Sequence, residues 1–424
     1  MSTGHPPDLL DSDAHADLTR HDTFVDGVPH ATFARLRREE PVSWCEEADG
    51  NAGFWSVTRY DDVLHVSREH ETFTSTRGIR MEEMDPEETA ARRTLMELDP
   101  PEHTRLRRLV NRGFTRRTVE AYEAAIREIT RAVLDEALPK GTFDFTKEVG
   151  RELPMRMLGR LMGLADEDLD ELVTWGDAMI GNTDPEFTSH PVDLSDTDEF
   201  RLMPFRSPAA LEVFRYADRM AQERRAEPRD DIVTRLLAPT PDGEPLTDLE
   251  FKNFFALLVA AGNDTTRYTI AGTLDTLIDH PGALAHLQAH PEDLDPAVEE
   301  LLRWTTVTMH FRRTAIRDTE LRGVPIRSGD KVVIWFVSAN YDEDQFPEPY
   351  TFDIARHPND HCTFGRNGPH FCLGAWLARM ELRVTLEELL PRIGSVERAG
   401  PVEHLRSNFI HGIKHLPVTI RPAS

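Results

Sequence analysis

Cys372 is the residue with the most pointed chemistry in this sequence of 424 residues. It stands in "TFGRNGPHFCLGAWLARMEL" (363–382), where Gly365, Gly368 and Pro369 precede it and a run with helical spacing follows at once. A glycine-rich loop that gives way to a helix offers free backbone N–H groups and the positive end of the dipole. A cysteine there is expected to have a lowered pKa and to be available as thiolate. A thiolate can attack a substrate or bind a metal; the plainer alternative is a small buried thiol. The nucleophile reading needs a base, and His370 lies two residues away. Nothing else in the loop resembles a triad.

Three further groups have informative spacing. Glu300 and Arg303 in "EELLRW" are three apart and share a helix face. Alone, such a pair is usually a surface ion pair of little worth. His103 and Arg107 in "DPPEHTRLRR" are four apart and also share a face. Arg105, Arg108 and Arg112 point roughly 140–200° away from His103 at about 100° per residue. One face can therefore hold carboxylates while the other is either a basic docking surface or an ordinary solvated face. In "AAGNDTTR" (260–267), Gly262 and two threonines interrupt an apolar helical pattern. These are poor mid-helix residues, and threonine can bond back to a preceding carbonyl and bend the helix. The stretch is either a locally weak helix or an opened turn that holds a small polar site.

Helices must position these groups. Helical patterns cover 29–40, 101–114, 118–138, 155–164, 207–228 and 247–282, while strand-like runs are short, at 53–60, 331–340 and 415–420. The segment 247–282 has a capping box in Thr247 and Glu250 and a stop in Pro281-Gly282. It is apolar nearly all round, which predicts burial. The expectation is a mainly α fold with a small β component, in which residues 1–24 form an acidic arm and 25–424 one domain.

Bulk charge excludes some functions. A net charge of −26 lacks the basic footprint of a nucleic-acid binder and does not suit anionic membranes. The N-terminal residues have no basic-then-apolar secretory pattern, and no apolar run is long enough to span a membrane. Cys45, Cys362 and Cys372 lack zinc-like spacing. Reduced thiols in a cytoplasmic protein are expected.

The sequence "FGRNGPHFCLGAWLAR" resembles the heme-binding loop of the cytochrome P-450 family, with Phe364, Gly365, Gly368, His370, Cys372 and Gly374 at the signature positions. The resemblance implies that Cys372 is the proximal thiolate ligand of heme b (iron protoporphyrin IX). Further motifs follow the family's order. Glu300 and Arg303 match its E-x-x-R pair, and Arg356 in "FDIAR" matches the third member of that structural network. "AGNDTT" resembles the oxygen-activation motif, with Ala261 beside the heme and Asp264 and Thr265 as the acid–alcohol pair. His103, Arg107, Arg313 in "FRRTA" and His370 match positions that hold heme propionates. His361 is either another such residue or a hydrogen-bonded loop histidine. The spacing from Phe364 to Cys372 is one residue longer than the family's commonest. A similar stretched loop occurs in actinobacterial members resembling sterol and fatty-acid hydroxylases.

The resemblance implies a single-domain P-450 fold with a long central helix over the heme. It implies a monooxygenase that hydroxylates or epoxidises a mostly apolar small molecule, such as a sterol, terpenoid, fatty acid or polyketide, with O2. Electrons would come from a separate ferredoxin and ferredoxin reductase, since the chain carries no reductase domain; a monomer is the default. A peroxygenase driven by hydrogen peroxide is disfavoured by Asp264-Thr265, as is a non-catalytic heme binder or sensor. Pocket walls map to 75–98, 175–205, Leu257–Ala261, 306–311 and 408–413, with His310 and His411 among the polar groups. Residues 191–206 are either an acidic insertion or a lid.

Overall fold

Thr247 opens the longest helix with a reciprocal cap. Its hydroxyl accepts from the Glu250 N–H, while the Glu250 carboxylate accepts from the Thr247 N–H. The computed structural model describes residues 10, 13–47, 52–111, 113–239 and 245–423. This central helix, Asp248–Asp279, is buried on most sides through Phe251, Phe254, Phe255, Val259, Ile270 and Leu274. Helices Glu152–Met162, Leu169–Ile180 and Ala209–Ala226 pack along it, and Leu294–Thr305 and Ala375–Leu389 touch its second half.

The sequence left an opened turn possible at 260–267, but the helix continues through it. The Thr265 hydroxyl donates to the Ala261 carbonyl at 2.9 Å, and the Thr269 hydroxyl to the Thr265 carbonyl at 2.8 Å. The hydroxyls are thus satisfied locally and no backbone bond has to be surrendered. Ala261 is nevertheless exposed and Thr265 half-buried in the middle of a buried helix. Their surface faces an internal space.

Other predicted helices stand close to their expected places, as His30–Glu39, Glu102–Asn111 and Ala209–Ala226. The predicted 118–138 divides into Arg116–Glu120 and Glu123–Ala137. The strand expected over 331–340 ends at Trp335, and Phe336–Ala339 turns into a short helix. Val337 and Ala339 are as buried as the strand residues, so hydrophobicity alone cannot mark the boundary.

The main sheet has five strands in the spatial order Val42–Cys45, Phe54–Val57, Lys331–Trp335, His310–Ala315 and Phe73–Thr74. Only the Phe54–Val57 and Lys331–Trp335 pairing is parallel. In His310–Ala315, Phe311 and Arg313 alternate onto one face. A second sheet joins Thr142–Asp144, Pro417–Pro422 and Ile393–Arg398. Of the acidic arm, Leu18 and Phe24 are buried, and Thr19 accepts a bond from Asn408. No helix among the described residues is long and apolar enough to cross a membrane.

Candidate active site

The Cys loop is closed by its own backbone. The Cys372 N–H donates to the Phe364 carbonyl at 2.8 Å, and Gly365 N–H to the Cys362 carbonyl at 2.8 Å. Gly365 has φ +69°, which suits glycine, and Asn367 has φ +56°. Asparagine tolerates this left-handed region better than most residues, so "RNGP" can carry a sharp turn. Gly368 is required for space: a Cβ there would lie 2.8 Å from the Ser67 carbonyl oxygen. Gly374 is the opposite case, since a Cβ there would meet nothing within 4 Å. It precedes helix Ala375–Leu389.

Cys372 lies deep in the molecule, yet its side chain is exposed. The two facts agree only if the sulfur faces an internal space. Burial raises its pKa, against the opposing pull of the Gly374 and Ala375 N–H groups, Arg107 and Arg379. The sequence argument for a lowered pKa is therefore corrected. The helix start acts in the expected direction, but desolvation of the thiolate is larger. A bound cation would reverse that balance, because a coordinating thiol loses its proton.

A buried network braces the loop. Arg303 donates to both Glu300 oxygens at 2.8 Å, and Arg356 Nε reaches the same carboxylate at 3.1 and 3.2 Å. Glu300 and Arg303 are fully buried, so this is no surface pair. Arg303 also donates to the Asn340 carbonyl at 2.8 Å. The Asn340 side chain accepts from the Cys362 N–H and donates to the Thr363 hydroxyl, at 2.8 and 2.9 Å. Thus three charged residues are linked to the start of the Cys loop through one asparagine. Glu299 provides a second clamp, accepting from Arg379 at 2.6 and 2.8 Å and pairing with His361 at 2.9 Å. His361 is accordingly a hydrogen-bonded loop histidine. Sequence reasoning missed Glu299, Asn340 and Arg379, whose partners in this network lie 22 to 80 residues away.

The basic set converges beside the loop. Arg107 donates to the carbonyls of Pro369 (3.0 Å) and Phe371. It therefore ties helix Glu102–Asn111 to the Cys loop, although a guanidinium has five donors and keeps others. The rings of His103 and His370 lie 4.5 Å apart, and His370 Nε2 is 3.1 Å from the Ser75 hydroxyl. Burial lowers the two pKa values to about 3 and about 4, so both rings are neutral at physiological pH. His103 Nε2 is buried with no partner among the described residues. Arg313 is 4 % exposed, and the one acceptor it has there is the Arg312 carbonyl. Burial lowers its pKa to about 10. An unpaired buried guanidinium is costly, and a ligand carboxylate would relieve it. A flat macrocycle with carboxylate arms fits the open face at Cys372, Gly374, Ala261 and Thr265 and the donors at Arg313 and His103.

Asp264 points elsewhere. It is buried, accepts from Asn263 at 3.1 Å and lies 3.1 Å from Arg267. Arg267 binds Asp177 at 2.7 Å and the Tyr268 hydroxyl at 2.6 Å. One guanidinium thus serves two carboxylates. Burial pushes the Asp264 carboxyl up to about 8, with Arg267 opposing and Asp177 adding to the shift. A carboxyl raised above its usual value of 3.8 contributes stability at low pH and loses it as pH rises toward the folded value. The stability of Asp264→Asn relative to the native chain should therefore increase between about pH 4 and 8 and level off above. Urea melts across this range measure it; a relative stability that stays flat from about pH 4 to 8 would show an Asp264 already ionised in the folded state.

The cavity above this site is lined from all five expected wall segments, by residues such as Met96, Ile180, Phe205, Leu257, Phe311 and Ile410, together with Ala261 and Thr265. The two wall histidines are a correction. His310 is fully buried between Trp335 and Phe409, with Nδ1 on the Asn408 carbonyl at 3.0 Å. His411 stacks on His404, 5.1 Å between rings. Neither histidine is among the residues that line the cavity, although Thr308, Phe311, Phe409 and Ile410 beside them are. Pro204 and Phe205 bring the end of 191–206 to the cavity wall, and Arg201 and Arg206 tie that segment to Asp85, Glu87 and Glu88.

Comparison with known proteins decides the family. The model of the cytochrome P450 family matches residues 25–290 and 292–393. This chain belongs to the cytochrome P450 family. The cofactor of these heme-thiolate proteins is heme b. Among curated relatives of this cytochrome P450, a methyl-branched lipid omega-hydroxylase of Mycobacterium tuberculosis is 36 % identical, covering 98 % of this chain and 96 % of its own length. A steroid C26-monooxygenase of the same species is 35 % identical, with 95 % and 92 % covered. The structure of a Mycobacterium marinum cytochrome P450 in complex with pseudoionone has a TM-score of 0.84 and 38 % identity, with 92 % of this chain and 94 % of that one covered. The fold is accordingly the single-domain P450 fold, mainly α with a small sheet component. Monooxygenase activity, which the curated relatives carry in their names, is the activity of this cytochrome P450.

Proposed function

We propose that this P450 hydroxylates a mostly apolar small molecule of the lipid or steroid class, with Cys372 as the thiolate ligand of heme iron. The observation that carries the reading is a deep cysteine open to an internal space beside an unpaired buried Arg313. The relatives that act on lipids and steroids favour that substrate class, as does the apolar wall of the cavity. When bound, heme supplies reductive activation of dioxygen and insertion of one oxygen atom into a C–H bond. Residues 25–424 are the catalytic domain; residues 1–9, 11 and 12 of the expected N-terminal arm lie outside the described residues.

Each residue then has a defined task. Arg313, His103, His370 and the spare donors of Arg107 hold the heme carboxylates. Glu300, Arg303 and Arg356 keep the Cys loop in place. Phe364 and Ala261 would lie against the macrocycle, and Gly374, where a Cβ would meet nothing within 4 Å, would leave room for it. Thr265 donates to the Ala261 carbonyl, so its oxygen lone pairs remain available on the cavity side. It can accept a proton there and pass one on. Asp264, protonated and joined to Arg267 and Asp177, is a proton reservoir behind the helix. This arrangement favours the monooxygenase, which must be supplied with two protons, over a peroxygenase, whose peroxide brings its own.

Thr265→Ala should uncouple the reaction: NAD(P)H is consumed at near the native rate while little product forms. Product and peroxide assays with bound substrate and saturating partners measure this, and unchanged coupling would contradict the role. Electrons come from a separate ferredoxin and ferredoxin reductase, and the protein acts as a monomer. Arg108 is exposed on the outer side of Glu102–Asn111 and offers a positive point for an acidic ferredoxin. Arg105 is partly engaged with Glu250 at 3.5 Å, and Arg112 lies outside the described residues. The three free cysteines suit the reducing cytoplasm. A substrate-induced shift of heme absorption, screened over fatty acids, sterols, terpenoids and macrolides, tests the reading. Shifts with lipids or steroids are expected, and a shift confined to the other classes would overturn the substrate assignment.

A further inference from the structure

Two arginines in the cavity wall have buried donor atoms that no acceptor meets among the described residues. Arg92 is 7 % exposed, and its Nε and Nη2 are buried with no hydrogen-bond partner among the described residues. Its position is fixed from the central helix. Asn253 Nδ2 donates to the carbonyls of Ala91 (2.8 Å) and Arg93 (3.1 Å), on either side of Arg92. Arg80 is the second. Its Nε is also buried without a partner, its Nη1 reaches Asn182 only at 3.4 Å, and Glu82 lies 3.9 Å away. Its guanidinium stacks over Phe409 at 4.5 Å and Phe205 at 5.3 Å, which holds it in the wall.

The acids nearby do not balance the pair. Glu97 is taken by Thr94, whose N–H and hydroxyl donate to it at 2.9 and 2.5 Å, and burial raises its pKa. Glu82 is held ionised by Arg80 and Arg92 against the cost of burial. Arg206 is committed to Glu88, and His21, lowered to about 4 by burial, is neutral. Three donor atoms of the two guanidiniums, Arg92 Nε and Nη2 and Arg80 Nε, thus meet no acceptor among the described residues, and Glu82 stays beyond hydrogen-bond distance of Arg80. A buried charge without a partner costs several kcal/mol, and a bidentate anion is the natural complement of a guanidinium. The rest of the cavity wall is mainly apolar, with Glu82, Glu97 and four threonines among its residues, and it extends to Ala261 and Thr265.

We propose that Arg92, seconded by Arg80, binds a carboxylate on the substrate, which is therefore an amphipathic carboxylic acid with its hydrocarbon laid along Leu257 and Phe311. This rests on the monooxygenase reading and narrows its substrate class. The test uses the heme-loaded enzyme and the ligand-induced shift of its absorption. Dodecanoic acid is titrated against 1-dodecanol, hexadecanoic acid against 1-hexadecanol, and 5β-cholanic acid against its methyl ester. At least one acid should bind about tenfold or more tighter than its neutral partner. Arg92→Met should erase that preference while leaving heme content and binding of the neutral partner unchanged, and Arg92→Lys should retain part of it.

The proposal is overturned if no acid outbinds its neutral partner in the native enzyme, or if Arg92→Met keeps the preference. It is also overturned if Arg92→Met loses heme, which would assign Arg92 to the heme carboxylates. The native comparison decides even if the variant does not fold. A native protein that retains no heme contradicts the monooxygenase reading itself. A heme protein that binds alcohols and acids equally contradicts only the carboxylate.

Discussion

Cys372→Ser should abolish substrate hydroxylation while leaving the fold intact. The loop is closed by backbone bonds, Cys372 N–H to Phe364 and Gly365 N–H to Cys362, which serine can reproduce. The side chain faces open space and fills no packed void, so little stability is lost; surface-like substitutions usually fall within about 0.5 kcal/mol. What changes is the ligand. A serine hydroxyl is far less acidic than a thiol and does not push electron density toward iron as a thiolate does. Expected results are a thermal midpoint close to native, no product, and loss of the heme absorption typical of thiolate ligation. Retained hydroxylation would remove Cys372 from the site.

The second large effect lies away from the cofactor. Glu300→Gln leaves Arg303 and Arg356 buried around a neutral amide. Breaking a buried ion pair by removing one partner costs about 3–5 kcal/mol, a large part of a typical folding free energy. The damage should spread along Arg303, Asn340, Cys362 and Thr363 to the Cys loop. We expect a lowered urea midpoint and a faster loss of heme to an apo-globin scavenger. Glu299→Gln loosens the second clamp through Arg379 and His361 and should give a milder version of both. If Glu300→Gln releases heme no faster than the native protein, the network is not a brace for the loop.

The contrast between these residues shows what the sequence could reveal. Local features were legible. The capping box at Thr247 and Glu250, the apolar run of the central helix and the loop before Cys372 are all set by neighbours within a few positions. The fold class and the approximate places of most long helices followed from such patterns. The end of the strand at Trp335 did not, because Phe336–Ala339 is equally apolar and its turn into a helix is a tertiary effect. The pKa of Cys372 went the other way for a similar reason: the helix start is visible in sequence, but the depth of burial is not. The placement of His310 and His411 depended on contacts with Trp335, Asn408 and His404 that no motif reports.

The cavity wall divides in the same manner. Every segment expected to line it contributes, yet Arg80 and Arg92 were indistinguishable from the other charged residues of 75–98. Their meaning comes from burial and from bonds they lack. Asn253, which fixes Arg92, is 162 residues from the carbonyl it binds at Ala91. Long-range hydrogen bonds of this kind leave no periodic signal.

The central claim is that Cys372 ligates heme iron. The most direct measurement is the absorption spectrum of the native enzyme after reduction and exposure to carbon monoxide. The account predicts the strongly red-shifted main band of a thiolate-ligated heme, absent in Cys372→Ser. A main band at the position of a histidine-ligated heme in freshly purified, fully folded protein would contradict it.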